Sequence, residues 1–297
     1  MRRGDFEAAW QISDAILRSR LNARCDHLPL EQQWLWRGQP LEEKSILIRT
    51  YHGLGDTIQF IRYAGLVHGI AKHVTVCAQP ELLSLLQNLE GIDELFPLKD
   101  RELRIDYDVP VELMELPHIF RTTLETIPAS IPYICVEPAE IVRDGNLQVG
   151  LVWEAGGWDP RRSIPLRSLD RLRELRGITF HILQRGKGLE TCPKAFGRMT
   201  GSDDVFQAAR VIAALDLLIS VDSMPAHLAG ALGIPTWTLL PAECDWRWLT
   251  DRHDSPWYPT MRLFRQPRSG DWHSVAERIY QELRDFSGVE NRLEPAL

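Results

Sequence analysis

The stretch LDLLISVDSMPAHLAGALGIPTWTLLP, residues 215–241, decides the architecture. Leu217 to Val221 is a short unbroken apolar run, the pattern of a strand buried on both faces, and it stops at Asp222 and Ser223. A helix of small residues follows from Pro225 to Leu232, with the proline where the first turn of a helix tolerates one, and Ile234 to Leu240 reads as the next strand. A buried strand linked by a helix to another strand is the repeating unit of a parallel sheet covered on both faces.

The same alternation extends outward. Strands are expected at Gln148–Trp153 and Ile178–Gln184, with helices near Leu166–Leu175 and Val205–Ala214. In the first half, SILIRT at Ser45–Thr50 is a strand, Asp56–Val67 a helix, His73–Gln79 a strand and Pro80–Leu89 a helix, followed by apolar runs near Glu94–Leu98 and Asp106–Val111. Residues 128–146 carry three prolines and a DGN turn, which marks a domain junction. The expected fold is therefore α/β: an N-terminal helical extension (1–40) and two doubly wound Rossmann-like domains (41–140 and 141–297) facing a cleft. Open sheets of this kind bind ligands outside the carboxyl ends of their strands.

Composition narrows the class. A chain of 297 residues has room for two cores, and its 44% apolar and 25% charged residues are those of a folded globular protein. The net charge of −7 argues against non-specific nucleic-acid binding, which draws on a basic surface. Five cysteines (Cys25, Cys77, Cys135, Cys192, Cys244) are odd in number and never form a CxxC pair, which suits reduced thiols rather than disulfides or zinc. No signal-peptide core and no membrane-length apolar run occurs, so a cytoplasmic protein is expected, with peripheral contact at the inner face of the membrane compatible with this pattern. In the extension, Phe6, Ala9, Trp10, Ser13, Ile16 and Leu17 share one helical face. The stretch GDFEAAWQISDAIL also looks like the closing helix of a tetratricopeptide unit.

Three stretches carry residues suited to chemistry. After the 217–221 strand, Ser223 is a good N-cap, and the amides of Met224, Ala226 and His227 at a helix N-terminus suit an anion, with His227 as an additional donor. In GGWDPRRSIPL, residues 156–166, Arg161 and Arg162 precede a helix start, where a guanidinium makes charge-assisted bonds to phosphate without proton transfer. In YHGLGDTIQF, residues 51–60, Gly53 and Gly55 flank Leu54 in a tight turn after a strand, and Asp56 stands where a carboxylate caps a helix or serves as a base. Gln184 and Lys187, in LQRGKG after another strand, are further phosphate or ribose candidates. Neither GxGxxG nor GxxxxGK[ST] occurs, so nicotinamide chemistry and ordinary ATP hydrolysis lose support.

The order and spacing of GLGDTIQFIRYA (53–64), VGLVW (149–153), RSIPL (162–166), ISVDSMPAHLAGALGIP (219–235), DWRWL and DSPWYP (245–259) resemble glycosyltransferase family 9, whose members include the bacterial lipopolysaccharide heptosyltransferases, and especially its forms attached to tetratricopeptide segments. The resemblance spans most of residues 45–285 and departs from the family at Met224 and Pro225, where a glycine-containing turn is frequent. It implies a GT-B architecture with an acceptor domain first, a nucleotide-sugar domain second, and a final helix (270–286) that often crosses back. It also implies a catalytic base at Asp56 with Gly53, Leu54 and Gly55 on the acceptor-side loop, a basic position at Arg162, and a donor motif at Asp222, Ser223 and His227. The expected reaction is an inverting, metal-independent transfer from a nucleotide-diphosphate sugar, ADP-heptose being the family's best-known donor, to a glycan, lipid-linked or protein acceptor. The nucleotide sugar is then a co-substrate and no cofactor is required. A nucleotide-sugar epimerase and a non-catalytic nucleotide-binding or scaffold module are the alternatives.

Overall fold

A computed structural model describes residues 1–25, 27–28, 33–98, 105–157 and 159–286. Parts of the N-terminal extension, Trp158 of the 156–166 loop and the chain end after residue 286 lie outside the described residues. The chain divides into two compact units, Met1–Ile134 and Cys135–Leu297.

In the first unit, α1 (Phe6–Arg20) precedes β1 (Ser45–Arg49), α2 (Leu54–Phe60), α3 (Ala64–His68), β2 (His73–Ala78), α4 (Leu83–Leu86), β3 (Glu94–Pro97), β4 (Val109–Glu112) and α5 (Leu116–Ile119). The four strands are parallel in the order β3-β2-β1-β4. Ile46, Leu47 and Ile48 of β1 are all buried, as a strand covered on both faces demands. The chain runs from β1 outward to β3 and returns to the other side of β1 for β4, so the carboxyl ends of β1 and β4 flank the point where the strand order reverses.

The helix expected over 56–67 is instead broken by a 3-10 turn at Ile61–Tyr63. Arg62 in that turn is drawn inward, where it donates to the Gln59 and Pro128 carbonyls and the Tyr133 hydroxyl (2.7, 3.1 and 2.9 Å). Gly91 crosses this segment at φ +90°, and a Cβ there would lie 2.7 Å from the Gly65 Cα, so no larger residue fits. The N-terminal helix docks mainly through the face that carries Phe6, Trp10 and Asp14. Phe6 and Trp10 are buried, Trp10 Nε1 donates to the Thr122 carbonyl (2.7 Å), and Asp14 is gripped by His118 and Arg121 (2.8 and 2.6 Å), whereas Ile16 of the expected apolar face is 43% exposed.

In the second unit, β5 (Leu147–Val152), β6 (Ile178–Ile182), β7 (Arg198–Met199), α6 (Val205–Ala213), β8 (Leu217–Val221), α7 (Met224–Ala231), β9 (Thr236–Leu240), β10 (Met261–Arg265) and α8 (Trp272–Phe286) follow in order. The six strands are parallel, ordered β10-β9-β8-β5-β6-β7, and the order reverses between β5 and β8. Residues 166–174 form 3-10 turns rather than the expected α-helix. Leu166, Leu169 and Leu172 recur every three residues, and a three-residue turn brings Leu169 and Leu172 together onto the core. The closing helix α8 buries Trp272, Val275, Ala276, Ile279 and Leu283, packing on β10 and the 166–174 segment. Among the described residues no helix is long and apolar enough to cross a membrane.

Candidate functional site

Unit 2 gathers most of the expected donor-site residues at the reversal between β5 and β8. Arg162, on the loop that leaves β5, donates through Nη1 to the carbonyl of Asp222 at the end of β8 (3.0 Å). One hydrogen bond thus ties the two loops that flank the crevice, and it sets a half-buried guanidinium beside the N-terminus of α7. Its neighbour Arg161 points outward instead, paired with Asp159 (2.9 Å). Gln184, just after β6, holds two loops together. Its side-chain oxygen accepts the amides of Trp153 and Glu154 (3.0 and 2.9 Å), and its nitrogen donates to the Arg185 carbonyl (2.8 Å). Lys187 is exposed on the same loop.

The start of α7 corrects two expectations. Ser223 does not cap the helix with its side chain; its hydroxyl donates to the Val221 carbonyl (3.1 Å) and meets Ser220 Oγ (3.2 Å). The amides of Ala226 and His227 turn back to the Ser223 carbonyl (3.0 and 3.5 Å), because the first turn tightens, and both residues are buried. Ser223, Met224 and Pro225 form the accessible part of the turn.

Asp222 and His227 lie beneath that turn. His227 Nδ1 shares a hydrogen bond with the Tyr258 hydroxyl (3.0 Å), its Nε2 lies 3.8 Å from Asp222 Oδ1, and its ring stacks on Trp248 with centroids 5.3 Å apart. Burial pushes the Asp222 carboxyl above its ordinary range, while the Trp248 indole, Arg247 and Arg162 oppose that shift. Trp248 and Trp257 are fully buried, so packing accounts for most of the aromatic 245–259 segment. Leu249 adopts φ +53°, ψ −179°, a region that disfavours side chains, and its carbonyl is held by Arg265 Nη2 (2.7 Å). Tyr258, Trp248 and Arg265 support the site from a distance in sequence; the first two lie in the DSPWYP and DWRWL stretches of the family resemblance, whereas Arg265 carried no signal.

Unit 1 holds Asp56 at the carboxyl end of β1. The carboxylate is half-buried at the third position of α2, where Oδ2 accepts the Gly53 N–H (3.1 Å). Neither glycine of the loop serves a left-handed turn: Gly53 has φ −66°, and Gly55 lies inside α2 after Leu54 opens it. Gly53 matters for another reason, since a Cβ there would lie 3.3 Å from Asp56 Oδ2. Gln79, just after β2, pins this loop: it accepts from Thr50 and Thr57 (2.7 and 3.0 Å) and donates to the His52 carbonyl (2.6 Å).

Glu112, the last residue of β4, carries no signal in the sequence because its run reads as a short apolar strand. It is 6% exposed, accepts the Met114 N–H at Oε2 (2.6 Å) and that of Tyr51, and faces His52 Nε2 at 3.7 Å. Burial pushes its carboxyl up to about 8, and Glu115 and Asp56 nearby add to the rise. Burial likewise raises Glu115 to about 7.

No protein-family model matches the sequence. Among curated proteins, Protein FlbA of Caulobacter vibrioides is 26% identical over 294 residues, a match covering 85% of this chain and 48% of FlbA; the chain thus spans about half the length of that relative. Among solved structures, a glycosyltransferase of family 9 from Veillonella parvula superposes with TM-score 0.57 at 13% identity, covering 86% of this chain and 92% of that one. The ADP-heptose lipopolysaccharide heptosyltransferase II of E. coli gives 0.56 at 16% identity over 83% of this chain and 99% of its own. The iron-containing dodecameric glycosyltransferase TibC of enterotoxigenic E. coli gives 0.57 at 12% identity over 86% and 77%. The structural neighbours are thus family 9 glycosyltransferases, and the resemblance carried by the sequence motifs holds at the level of the fold.

Proposed function

We propose that the chain is a glycosyltransferase that takes a sugar from a nucleotide-diphosphate donor, with an ADP-sugar of the heptose type as the first donor to test. The observation that carries this reading is the Arg162–Asp222 bond, which sets a guanidinium at the N-terminus of α7 at the strand-order reversal of a parallel sheet. Fixed positive charge and a helix terminus at that point suit a leaving diphosphate, both as it binds and as its charge grows in the transition state. Heptosyltransferase neighbours named for ADP-heptose, or solved in complex with it, support the choice of donor class.

In the proposed reaction the acceptor oxygen attacks the anomeric carbon with inversion, the bond to the diphosphate breaks, and Asp56 receives the acceptor proton as it becomes acidic. Arg162 stabilises the leaving charge, so turnover is expected without an added divalent ion; loss in a chelator, restored by metal, would contradict that. A second reading, a nucleotide-binding module without turnover, draws on one observation: the Asp56 carboxylate already serves the Gly53 amide as a cap.

The test is a panel of nucleotide diphosphates and nucleotide sugars in calorimetry and thermal shift, followed by product analysis with Asp56→Asn and Arg162→Ala. Arg162→Ala should weaken diphosphate binding at least ~10-fold. Asp56→Asn should keep binding and lower kcat by ~100-fold or more. Binding without turnover that Asp56→Asn leaves unchanged would favour the module. Donor consumed without any acceptor would point to an epimerase or hydrolase.

A further inference from the structure

We propose that Glu112 is a positioning residue for the transfer assigned to Asp56: its buried carboxyl, held as the neutral acid, anchors the Tyr51–Gly53 loop and keeps a second negative charge away from the base. The proposal rests on the glycosyltransferase reading of Asp56.

The geometry is that of a carboxyl used from two sides. Glu112 closes β4 directly opposite Arg49 of β1, so its side chain stands at the strand-order reversal beside the loop that leads to Asp56. Oε2 takes the Met114 amide after β4, and the carboxyl also attracts the Tyr51 amide after β1, which links the base-carrying loop to β4. Oε1 is buried and has no hydrogen-bond partner among the described residues. A buried acceptor without a donor is a poor place for negative charge, whereas a proton on that oxygen removes the charge and leaves the Met114 bond to Oε2 in place.

The surroundings point the same way. Facing Glu112 are His52 and Asp56 from the loop and α2, and Glu115 from the segment after β4, whose own carboxyl accepts the amides of Glu112 and Trp36 (2.8 and 3.2 Å). Arg49, the nearest cation along β1, is turned to the Tyr51 hydroxyl (3.0 Å), and Arg20 acts on Glu115. Three carboxyl groups gather here, Glu112 buried and Glu115 and Asp56 half-buried, and like charges at such sites do not all ionise together.

The sign of the pH effect follows. The carboxyl of Glu112 is raised from 4.5 to about 8 in the folded protein, so the stability tied to its proton is complete below pH 4.5 and is lost as pH rises toward 8. Ionisation at the alkaline end also places a new charge beside Asp56, which should lower kcat.

Glutamine at 112 keeps the shape and the acceptor oxygen and has no proton to lose, so Glu112→Gln is the informative variant. Thermal unfolding of the full chain between pH 5 and 9 and kcat for a turned-over nucleotide sugar are measured for both proteins. Wild type is expected to lose stability steadily from pH 5 to 8 and to show an alkaline limb in kcat near 8, while E112Q shrinks the stability loss to the share of Glu115, removes the alkaline limb and keeps kcat at pH 7 within ~3-fold. Glu112→Ala, which loses the tie to Tyr51, should drop kcat ~10-fold at every pH. An alkaline limb that survives in E112Q overturns the proposal, as does a stability profile that E112Q leaves unchanged. If wild type turns over no donor, the transferase reading fails and the role at Asp56 goes with it, a failure the stability profile distinguishes from a misplaced proton. Should E112Q not fold, 13C NMR of glutamate-labelled wild type decides: a carboxyl midpoint near 8 supports the proposal, and one below about 5 overturns it.

Discussion

Replacing Gly230 by alanine puts a methyl group where Tyr258 already stands. A Cβ on Gly230 would lie 2.4, 2.6 and 2.8 Å from three atoms of that ring, against about 3.5 to 4.0 Å for carbons in ordinary contact, so the ring would have to retreat by roughly 1 Å. Tyr258 has no exposed surface to retreat into. Its hydroxyl is bonded to His227, whose ring stacks on Trp248, so the displacement is transmitted to the support of the α7 turn. Overpacking of this kind costs about 1 to 3 kcal/mol, and at roughly 2 to 4 °C per kcal/mol the melting temperature should fall by about 2 to 12 °C. Circular dichroism on heating measures the fall, and calorimetry with a nucleoside diphosphate should show weaker binding if the α7 turn holds the anion. Tyr258→Leu alone removes ring contacts and the bond to His227, but combined with Gly230→Ala it makes room for the methyl group. The double mutant should therefore be more stable than the sum of the singles by at least ~0.5 kcal/mol. A Gly230→Ala protein that melts within about 1 °C of wild type, or strictly additive effects in the cycle, would refute the close-packing account.

Further outcomes are expected elsewhere. Trp10→Ala should cost about 3 to 5 kcal/mol and release α1, since it removes a buried ring and the bond to Thr122; proteolysis of the N-terminal segment would report the release. Asp14, held to about 2 by the bonds to Arg121 and His118, adds stability that is complete above 3.8 and lost as pH falls toward 2. With Arg121 half exposed, Asp14→Asn should cost no more than ~1 kcal/mol in denaturant unfolding at pH 7. Burial, with Arg198 nearby, holds His181 below its ordinary value, so the protein should lose stability as pH drops below 6.5, a loss that unfolding at pH 5 and 7.5 will detect and that His181→Gln should reduce.

The sequence by itself determined the type and order of most elements. The apolar run 217–221, the small-residue helix after it and the repeated strand–helix alternation are local patterns, and burial on both faces of a parallel sheet writes them directly into neighbouring residues. The reach of that logic ended where packing over distance decides. LRSLDRLRE reads as a helix until its leucines meet the core at three-residue intervals, and MRLFR of β10 reads as little until a free sheet edge beside β9 receives it. Asp56, Arg162 and the 222–227 turn were legible because each follows a strand in sequence. Glu112 was not, since its significance comes from lying across the sheet from Arg49 with an amide of the Asp56 loop bonded to it, and the tie from Tyr258 to His227 was hidden by the residues between them. Which strand end faces which is set by the order of strands in the folded sheet, and a carboxyl's preferred charge is set by what surrounds it there; neither is a property of adjacent residues, so only the tertiary structure could decide them.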